Sequence, residues 1–425
     1  MKKVLLIGLT ISLLLSQNLN CEKDSTEAEN NMYLSNLPVK PGIDILLEKR
    51  LDLVKGKKLG LITNQTGITS KLKSTIDALN ELPDVDMVAL FGLEHGIRGD
   101  IPAGKIVPQD RDKKTGIRIY SIYGATRRPT PNMLQNIEVI LYDIQNFGLR
   151  AYTYISSMAY AMEAARDANI PFIVLDRPNP LGGIRVEGNV LDAEFRSFIG
   201  IYQIPYVYGM TVAELAQLFN DHFNINCQLI IVPMEGWKRS MTYDDTGLLW
   251  IPISPHIPHP ETIFHVAAIG GIGELGTISE GVGTPTPFEL IGAPWIDSDL
   301  LANELNSRNL PGVYFRPTYF SPYYHPHSPR FVGKNCSGVH IHILDKNEFK
   351  PIVTQVHILT AIQKLYPNQK IFDTGRVKMF DKAFGTDQLR KAVLRGDSAA
   401  KIIASWNDAL KQFKKIREKY LIYEE

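Results

Sequence analysis

Short apolar segments recur between residues 58 and 175, and they restrict the fold more than any other feature of the chain. Each segment has the length of a strand, and helix-forming segments separate them. Uninterrupted apolar strands are typical of a parallel sheet with helices on both faces. We therefore predict an α/β fold with a Rossmann-like parallel sheet. The predicted strands are 58–63, 86–92, 117–123, 137–142 and 171–175, and the predicted helices are 70–82, a short one that starts at Pro131, and 153–168.

The second half of the chain is less periodic. Thr211 followed by Glu214 is the sequence pattern of a capping box, which predicts a helix over 211–223. A strand is predicted over 227–232. Residues 250–295 contain many prolines and are predicted to be rich in loops.

The first 20 residues have the features of an export signal. Lys2 and Lys3 precede an apolar run over 4–15, which is too short to span a bilayer comfortably. Cys21 follows a short polar stretch, and the arrangement resembles a bacterial lipoprotein signal in which this cysteine is lipidated. The alternative is a plain secretory signal with a chance cysteine. We predict an extracytoplasmic lipoprotein, periplasmic or on the cell surface, that a lipid anchor attaches to a membrane.

These segments predict a chain of four parts. The residues after Cys21 are rich in Glu, Asn, Lys and Ser, as in a flexible tether. The predicted parts are a lipoprotein-type signal peptide over 1–20, a tether over 21–40, a Rossmann-like domain with the catalytic cleft over 41–205, and a second, smaller C-terminal α/β domain over 206–425.

The composition excludes several classes of protein. Lys and Arg together number 46 and Asp and Glu 45, so no excess of positive charge is available for nucleic acid, and we predict no nucleic-acid partner. Three cysteines are too few for a disulfide scaffold or a four-cysteine zinc module. The absence of a G-x-S-x-G motif leaves a serine nucleophile of the α/β-hydrolase type unsupported.

Two patterns bear on cofactors and metals. Residues 271–276 match G-x-G-x-x-G, but no helix-forming segment follows, so we predict no dinucleotide and no other cofactor. Histidines are paired or clustered, an arrangement that zinc sites also use, although none has H-E-x-x-H spacing. We predict no metal and keep a metal-dependent hydrolase as a lesser hypothesis. The histidines are His256, His259 and His265, then His325 and His327, then His340 and His342.

Polar residues collect at the carboxyl ends of four predicted strands, in clusters that begin at Asn64, Glu94, Asp143 and Asp176. Ligands of parallel α/β sheets bind beyond these ends. The pattern therefore predicts a functional cleft at this edge of the sheet. The candidate substrate-binding residues are Asn64, Gln65, His95, Arg98, Arg150, Tyr152, Tyr154, Asp176, Arg177 and Asn179.

Carboxylates are the best catalytic candidates. Glu94 directly follows a buried strand, and partial burial there favours the protonated form that a general acid needs. Glycoside hydrolysis needs two carboxyl groups, one to protonate the leaving oxygen and one to serve water or the anomeric carbon. A structural ion pair of Glu94 with Arg98 or Arg150 is the alternative. The fold could bring Asp100, Asp143, Asp176 or Glu280 near Glu94.

A series of strings in the right order closely resembles one family, the exo-β-N-acetylmuramidases, formerly a domain of unknown function. The resemblance extends from about residue 40 to the C-terminus. The strings are ITNQTGIT (62–69), LFGLEHGIRGD (90–100), YDIQNFGLRAYTYI (142–155), IVLDRPNPLGG (173–183), VEGNVL (186–191), YGMTVAELA (208–216), MEGWKRSM (234–241) and PFELIGAPW (287–295).

The resemblance implies a Rossmann-like domain, a smaller C-terminal α/β domain, and removal of N-acetylmuramic acid from non-reducing ends of peptidoglycan fragments. It implies a catalytic role for Glu94, the glutamate of the E-H-G string, and Asp100 is the acidic residue six positions later. An arginine in the pocket would select the lactyl carboxylate of N-acetylmuramic acid, and Asn64, Gln65 or Asn179 would bind its acetamido group.

The chain departs from the family in one loop, where it reads LGTISEGVGT and many members read EGTN-SEGRGT. Leu275, Ile278 and Val282 replace polar or charged residues, so substrate contacts there are expected to differ. Glu280 is retained.

The leading hypothesis is an exo-acting glycosidase for muramyl saccharides derived from peptidoglycan, with Glu94 as the general acid. The candidates for its second carboxylate are, in order of preference, Glu280, Asp100 and Asp143. The alternatives are a non-catalytic lipoprotein that binds peptidoglycan fragments and the metal-dependent hydrolase.

Overall fold

A computed structural model describes residues 37–425 except 102–104, 106–109, 325–330 and 373–374. The predicted signal peptide, Cys21 and most of the predicted tether lie outside the described residues, as do His325 and His327. Over the part of the chain that is described, no helix is long and apolar enough to cross a membrane.

Strands and helices alternate through the first half and become less regular in the second. The strands are β1 (Lys58–Thr63), β2 (Asp86–Gly92), β3 (Arg118–Ser121), β4 (Val139–Asp143), β5 (Phe172–Leu175), β6 (Glu187–Val190), β7 (Pro205–Val207), β8 (Leu229–Val232), β9 (Leu290–Ala293), β10 (Val313–Phe320) and β11 (Cys336–Ile343). The helices are α1 (Gly42–Lys49), α2 (Thr75–Asn80), α3 (Pro131–Leu134), α4 (Tyr154–Ala168), α5 (Val212–Asp221), α6 (Thr262–Gly273), α7 (Ser298–Asn306), α8 (Pro351–Leu365), α9 (Val377–Phe384), α10 (Gln388–Leu394), α11 (Ala399–Ala404) and α12 (Asn407–Arg417).

Six strands form a parallel sheet in the order β3-β2-β1-β4-β5-β8. The strand order reverses between β1 and β4, which is the switch point where ligands of doubly wound sheets bind. The predicted Rossmann-like α/β class is therefore confirmed. Because β8 pairs with β5, the sheet extends past residue 205, the boundary that the sequence predicts.

The two faces of the sheet are buried in separate cores, since side chains alternate along each strand. On β4, Val139 and Leu141 pack on one face with α1 and α2. Ile140 and Tyr142 pack on the other face with α4 and α5. This second core continues without a break into the C-terminal part of the chain, so the two parts share apolar side chains.

The C-terminal part is built on an antiparallel sheet in the order β10-β11-β9, which helices cover. The prediction of a second, smaller domain is thus confirmed. The sequence predicts loops over residues 250–295, yet α6 forms there, buried against α8. The predicted helix over 70–82 is shorter, because Ser74 accepts a hydrogen bond from Asp77 N and caps α2.

Candidate active site

A cavity of about 230 Å³ lies between the strand ends of the parallel sheet and the C-terminal part. The loop between β4 and α4 forms one part of the lining, and α6 with the loop that follows it forms another. A cleft between two parts of a chain is a usual place for a ligand. The residues that carry functional groups or aromatic rings in its lining are Phe147, Tyr152, Tyr206, Ser254, His256, Glu274, Glu280, Phe288 and Arg376.

The lining from the β4–α4 loop includes Phe147 and Tyr152, which form a cluster of edge-to-face aromatic rings with Tyr154. The ring centroids of Phe147 and Tyr152 are 3.7 Å apart, and those of Tyr152 and Tyr154 are 4.6 Å apart in an edge-to-face arrangement. Gly148 has φ +79°, and a Cβ there would lie 2.3 Å from the Asn179 Oδ1 atom. A larger residue would therefore push this loop out of place.

Glu94 lies in a tight turn directly after β2, where His95 and Gly96 both have positive φ. The Tyr123 hydroxyl donates a 2.7 Å hydrogen bond to the Glu94 Oε1 atom. Burial and the Glu94 charge raise the pKa of Tyr123, so its proton is retained for this bond. Glu94 also lies beside the cavity, since its backbone oxygen is 3.4 Å from the hydroxyl of Tyr154, whose ring contacts that of the lining residue Tyr152.

The turn after β1 joins the Glu94 region to the cavity. The Gln65 side-chain amide donates to the backbone oxygens of Pro252 and Ile253, at 2.9 and 3.2 Å. The Tyr154 hydroxyl lies 3.4 Å from the backbone oxygens of both Glu94 and Ile253. Because Ser254 and His256 follow directly and line the cavity, these bonds hold the strand ends and the cavity in one arrangement.

The C-terminal part of the chain contributes two carboxylates and a guanidinium to the lining. Glu280 is 7% exposed, and a Cβ on Gly273 would lie 2.7 Å from its carboxyl carbon. The Arg376 Nη2 atom is 3.0 Å from the Glu274 Oε2 atom, and Arg376 Nε donates to the Glu274 backbone oxygen at 2.9 Å. A cation and two potential acids therefore line the same cavity as the aromatic rings.

Several predicted site residues form ion pairs within the fold and do not line the cavity. Asp143 is fully buried, and the Arg177 guanidinium contacts both of its oxygens, while Thr75 donates a further hydrogen bond. Arg98 forms a two-pronged ion pair with Asp112, at 3.1 and 2.9 Å. Neither pair lines the cavity, so the predicted catalytic role of Asp143 and the binding roles of Arg98 and Arg177 gain no geometric support.

Buried polar groups at the other strand ends also hold the fold together. The Arg150 guanidinium donates to the backbone oxygens of Asn189, Ile204 and Phe384, and burial lowers its pKa to about 10. Asp176 accepts hydrogen bonds from Ala213 N and the Tyr423 hydroxyl.

Some of the remaining predicted residues bond within the fold, and others lie in or beside the cavity. The Asn179 side chain bonds to Met210 O and Leu181 N, and Asn64 accepts from Thr66. His95 is buried, with Nδ1 3.0 Å from Ile101 O. Asp100 is exposed and does not line the cavity. Of the predicted residues, the structure thus brings Tyr152 and Glu280 into the cavity lining, with Glu94, Gln65 and Tyr154 beside it.

The second-half histidines pair in part, since the ring centroids of His340 and His342 are 4.1 Å apart, but their contacts are with other groups of the protein. His265 lies between the backbone oxygens of Glu261 and Ile341, and the His340 Nε2 atom is 3.1 Å from a Glu289 oxygen. Within residues 37–425, leaving aside the four short gaps, no group of three or more His, Cys, Asp or Glu side chains is placed to hold a metal ion.

The sequence patterns miss Arg376, Glu274, His256 and Tyr123 as site residues. Glu274 belongs to the glycine-rich string at 271–276, which marks the end of α6 and its close contact with Glu280. Arg376 follows a stretch without clear periodicity, so no local signal indicates its place in the cavity.

The fold and the cavity define the class of the protein. It is a two-part α/β protein with a pocket beyond the ends of a parallel sheet, and the pocket carries the carboxyl groups that glycoside hydrolysis needs. The family model described as exo-β-N-acetylmuramidase NamZ, N-terminal, matches residues 59–261, and its C-terminal counterpart matches 268–423. The chain therefore belongs to the exo-β-N-acetylmuramidase NamZ family, and the predicted enzyme class, glycoside hydrolase, is confirmed.

Individual relatives agree. The chain is 47% identical over 386 residues to the peptidoglycan β-N-acetylmuramidase NamZ of Bacillus subtilis strain 168, covering 91% of each chain. Two crystal structures of DUF1343 family proteins from Bacteroides fragilis NCTC 9343 are similar to it. One has 43% identity and a TM-score of 0.86, covering 92% of this chain and 100% of that one. The other has 27% identity and a TM-score of 0.72, covering 91% and 99%.

Proposed function

We propose that this enzyme removes N-acetylmuramic acid from the non-reducing ends of peptidoglycan fragments. Family membership supports the sugar, and the cavity supports the exo mode. Its volume of about 230 Å³ is below the ~300–1,000 Å³ of pockets for drug-sized ligands, so it suits one terminal sugar. This small carboxylate-lined cavity between the two parts is the observation that carries the proposal.

Glu94 is the general acid of the proposed reaction. It gives its proton to the glycosidic oxygen as the bond from that oxygen to the anomeric carbon breaks. Water then adds its oxygen to the anomeric carbon, and a carboxylate of the site accepts the proton that the water loses. The hydrogen bond from Tyr123 orients the Glu94 carboxyl group. The tight turn at His95 and Gly96 fixes the backbone on its other side.

Glu280 is the second carboxylate of the proposal. Among the predicted candidates it is the one in the cavity lining, whereas Asp143 is engaged with Arg177 and Asp100 is exposed. It serves either the attacking water or the anomeric carbon. The configuration of the first-formed product, read by proton NMR, distinguishes these two roles, since direct attack of water inverts the anomeric centre.

Arg376 is the proposed partner of the lactyl carboxylate. Among the described residues that line the cavity, it is the one with a permanent positive charge. A planar guanidinium binds a carboxylate through paired N–H groups, which gives direction as well as attraction. Arg376 is thus the candidate for the pocket arginine that the family resemblance implies, because the guanidinium groups of Arg98, Arg150 and Arg177 are bound elsewhere.

The test is an assay of the purified protein, without residues 1–20, on a chromogenic β-N-acetylmuraminide and the matching glucosaminide. We expect release from the muraminide only. Glu94→Gln keeps the shape of the side chain without its proton, and we expect it to lose at least about a hundredfold on a muramyl disaccharide, because a sugar leaving group needs a proton that an activated phenol does not. Asp100→Asn, an exposed carboxyl in the same segment, is the control and should retain activity.

No release from either substrate, with tight binding of muramyl fragments that survives Glu94→Gln, would instead establish the fragment-binding protein. We also propose that the enzyme is exported and anchored through Cys21, on the strength of the N-terminal sequence alone. Fractionation of cells that express Cys21→Ala tests this location, because the variant should leave the membrane fraction.

A further inference from the structure

The small cavity has a consequence for longer substrates. If the terminal N-acetylmuramic acid occupies the cavity of about 230 Å³, the following sugars of a glycan chain lie outside its mouth. The surface around the mouth therefore decides how strongly the leaving part of the chain is held. Two exposed tyrosines, Tyr323 and Tyr324, lie at this surface.

Backbone contacts fix these tyrosines against the cavity loop. Tyr323 N donates to Gly283 O at 2.8 Å, and Gly283 directly follows Val282, which lines the cavity. A Cβ on Gly283 would lie only 1.8 Å from Tyr324 O, so the two segments are in close contact. The Tyr324 ring centroid is 6.3 Å from that of His256, another residue of the cavity lining.

The tyrosines are more exposed than aromatic side chains usually are. Tyr323 is 74% exposed and Tyr324 is 47% exposed. Aromatic faces carry partial negative charge and pack well against the apolar C–H face of a sugar ring, while the hydroxyl reaches water or a sugar oxygen. The two exposed tyrosine side chains therefore suit a neutral carbohydrate, next to a cavity that binds the charged sugar.

We propose that Tyr323 and Tyr324 form an aglycone platform, a binding surface for the sugars on the leaving side of the scissile bond. This inference rests on the proposed function and deepens it, because it adds a second sugar-binding surface that favours glycan chains over small muramyl glycosides. The platform contributes binding of the chain, while the cavity selects its terminal sugar.

The experiment compares kcat/KM on two substrates: methyl β-N-acetylmuraminide, which has no sugar or aromatic aglycone, and a muramyl-terminated peptidoglycan tetrasaccharide. We expect Tyr323→Ala and Tyr324→Ala each to lower kcat/KM for the tetrasaccharide about three- to tenfold. Their kcat/KM for the methyl glycoside should stay within about twofold. Tyr314→Ala is the matched control, because Tyr314 is 50% exposed at the far end of β10.

Equal losses on both substrates, or none on the tetrasaccharide, would overturn the platform. If the wild-type protein cleaves neither substrate, the proposed function fails, and calorimetry with the tetrasaccharide then decides the platform separately. Weaker binding by both tyrosine variants but not by Tyr314→Ala would support it, and unchanged binding would reject it. Thermal melting of each variant establishes that it is folded.

Discussion

At the scale of single residues, the charged side chains are of two kinds. Some stabilise the fold, and others are placed to contact a ligand. The ion pair of Asp143 with Arg177 is buried, and breaking such a pair usually costs several kcal/mol. The pair of Arg376 with Glu274 is different, because each side chain is 37% exposed and lines the cavity. Exposed pairs contribute little to stability, so the function of Arg376 is better sought in the ligand.

Replacing Arg376 tests this assignment. In Arg376→Gln we expect the inhibition constant of the product N-acetylmuramic acid to rise about 10- to 100-fold, because a hydrogen-bonded charge is lost. The inhibition constant of N-acetylglucosamine, which has no lactyl carboxylate, should change less than about threefold. Arg376→Lys should fall between, since it keeps the charge without the paired N–H groups.

Glu274→Gln is the control for a purely structural role of the Arg376–Glu274 pair, since it breaks the same pair from the other side. An equal rise of the N-acetylmuramic acid constant in Glu274→Gln would contradict the assignment. It would show that the pair, and not the arginine alone, is what the site requires.

At the scale of elements, the cavity depends on a loop that glycine makes possible. Residues 280–288 carry Glu280 and Phe288 into the lining, and the loop passes under Tyr324 at Gly283, where φ is +86°. Both the conformation and the space exclude a side chain. The element is therefore positioned by backbone contact and not by side-chain packing.

Gly283→Ala should lower both stability and activity. A left-handed conformation alone costs about 1–2 kcal/mol for a residue with a Cβ. The contact of 1.8 Å with Tyr324 O adds to this cost and should displace the loop that carries Glu280. Urea unfolding and kcat/KM are the measurements.

Gly396→Ala is the matched control, because Gly396 has φ +77° and a Cβ added there would meet no atom within 4 Å among the described residues. We expect it to show the conformational cost without loss of activity. If both variants were equally stable and equally active, close contact at Gly283 would not be what positions the loop.

The strands and helices also show how much of the fold can be predicted from the sequence. β1 and β2 have the predicted bounds, because their apolar runs end where polar turns begin. The α5 capping box forms between Thr211 and Glu214 as predicted. By contrast, the sequence patterns miss α6 because the surrounding prolines indicate loops, although its apolar run is buried on nearly every side.

The candidate site is partly predictable for the same reason. The strand-end rule leads to Glu94 and Tyr152, since it depends only on local order along the chain. It also selects Asp143, Arg150 and Asp176, because a pattern of polar residues does not distinguish a side chain that faces the cavity from one that stabilises the fold. Arg376 lines the cavity because of contacts between residues that are distant in the sequence, which no local sequence pattern predicts.

At the scale of the whole molecule, the end of the chain returns to the parallel sheet. Ile422 N donates to Glu214, Arg239 N donates to Glu424 O, and the Tyr423 hydroxyl donates to Asp176. Glu187 makes a second connection, since it accepts a hydrogen bond from Ile352 N at the start of α8. Buried carboxyl groups thus join the two parts that enclose the cavity.

These carboxyl groups predict how stability depends on pH. Burial is the main cause that raises the pKa of both Asp176 and Glu187 to about 7. Between about pH 4 and pH 7 the folded chain therefore holds protons that the unfolded chain releases, so the free energy of unfolding falls as pH rises through this window. These two groups therefore contribute a fall of a few kcal/mol between pH 5 and pH 8 in urea unfolding, which His265, His342 and His357 partly offset because their lowered pKa values act in the opposite direction.

Asp176→Asn should reduce this fall, because the amide cannot ionise yet can still accept from Ala213 N. Asp52→Asn, with an exposed side chain, should leave the pH dependence unchanged. A wild-type slope in Asp176→Asn would mean that Asp176 carries no proton in this range. Because Asp176 contacts Tyr423 across the two parts, a reduced slope would locate a large share of the pH sensitivity at a connection between the parts that line the cavity.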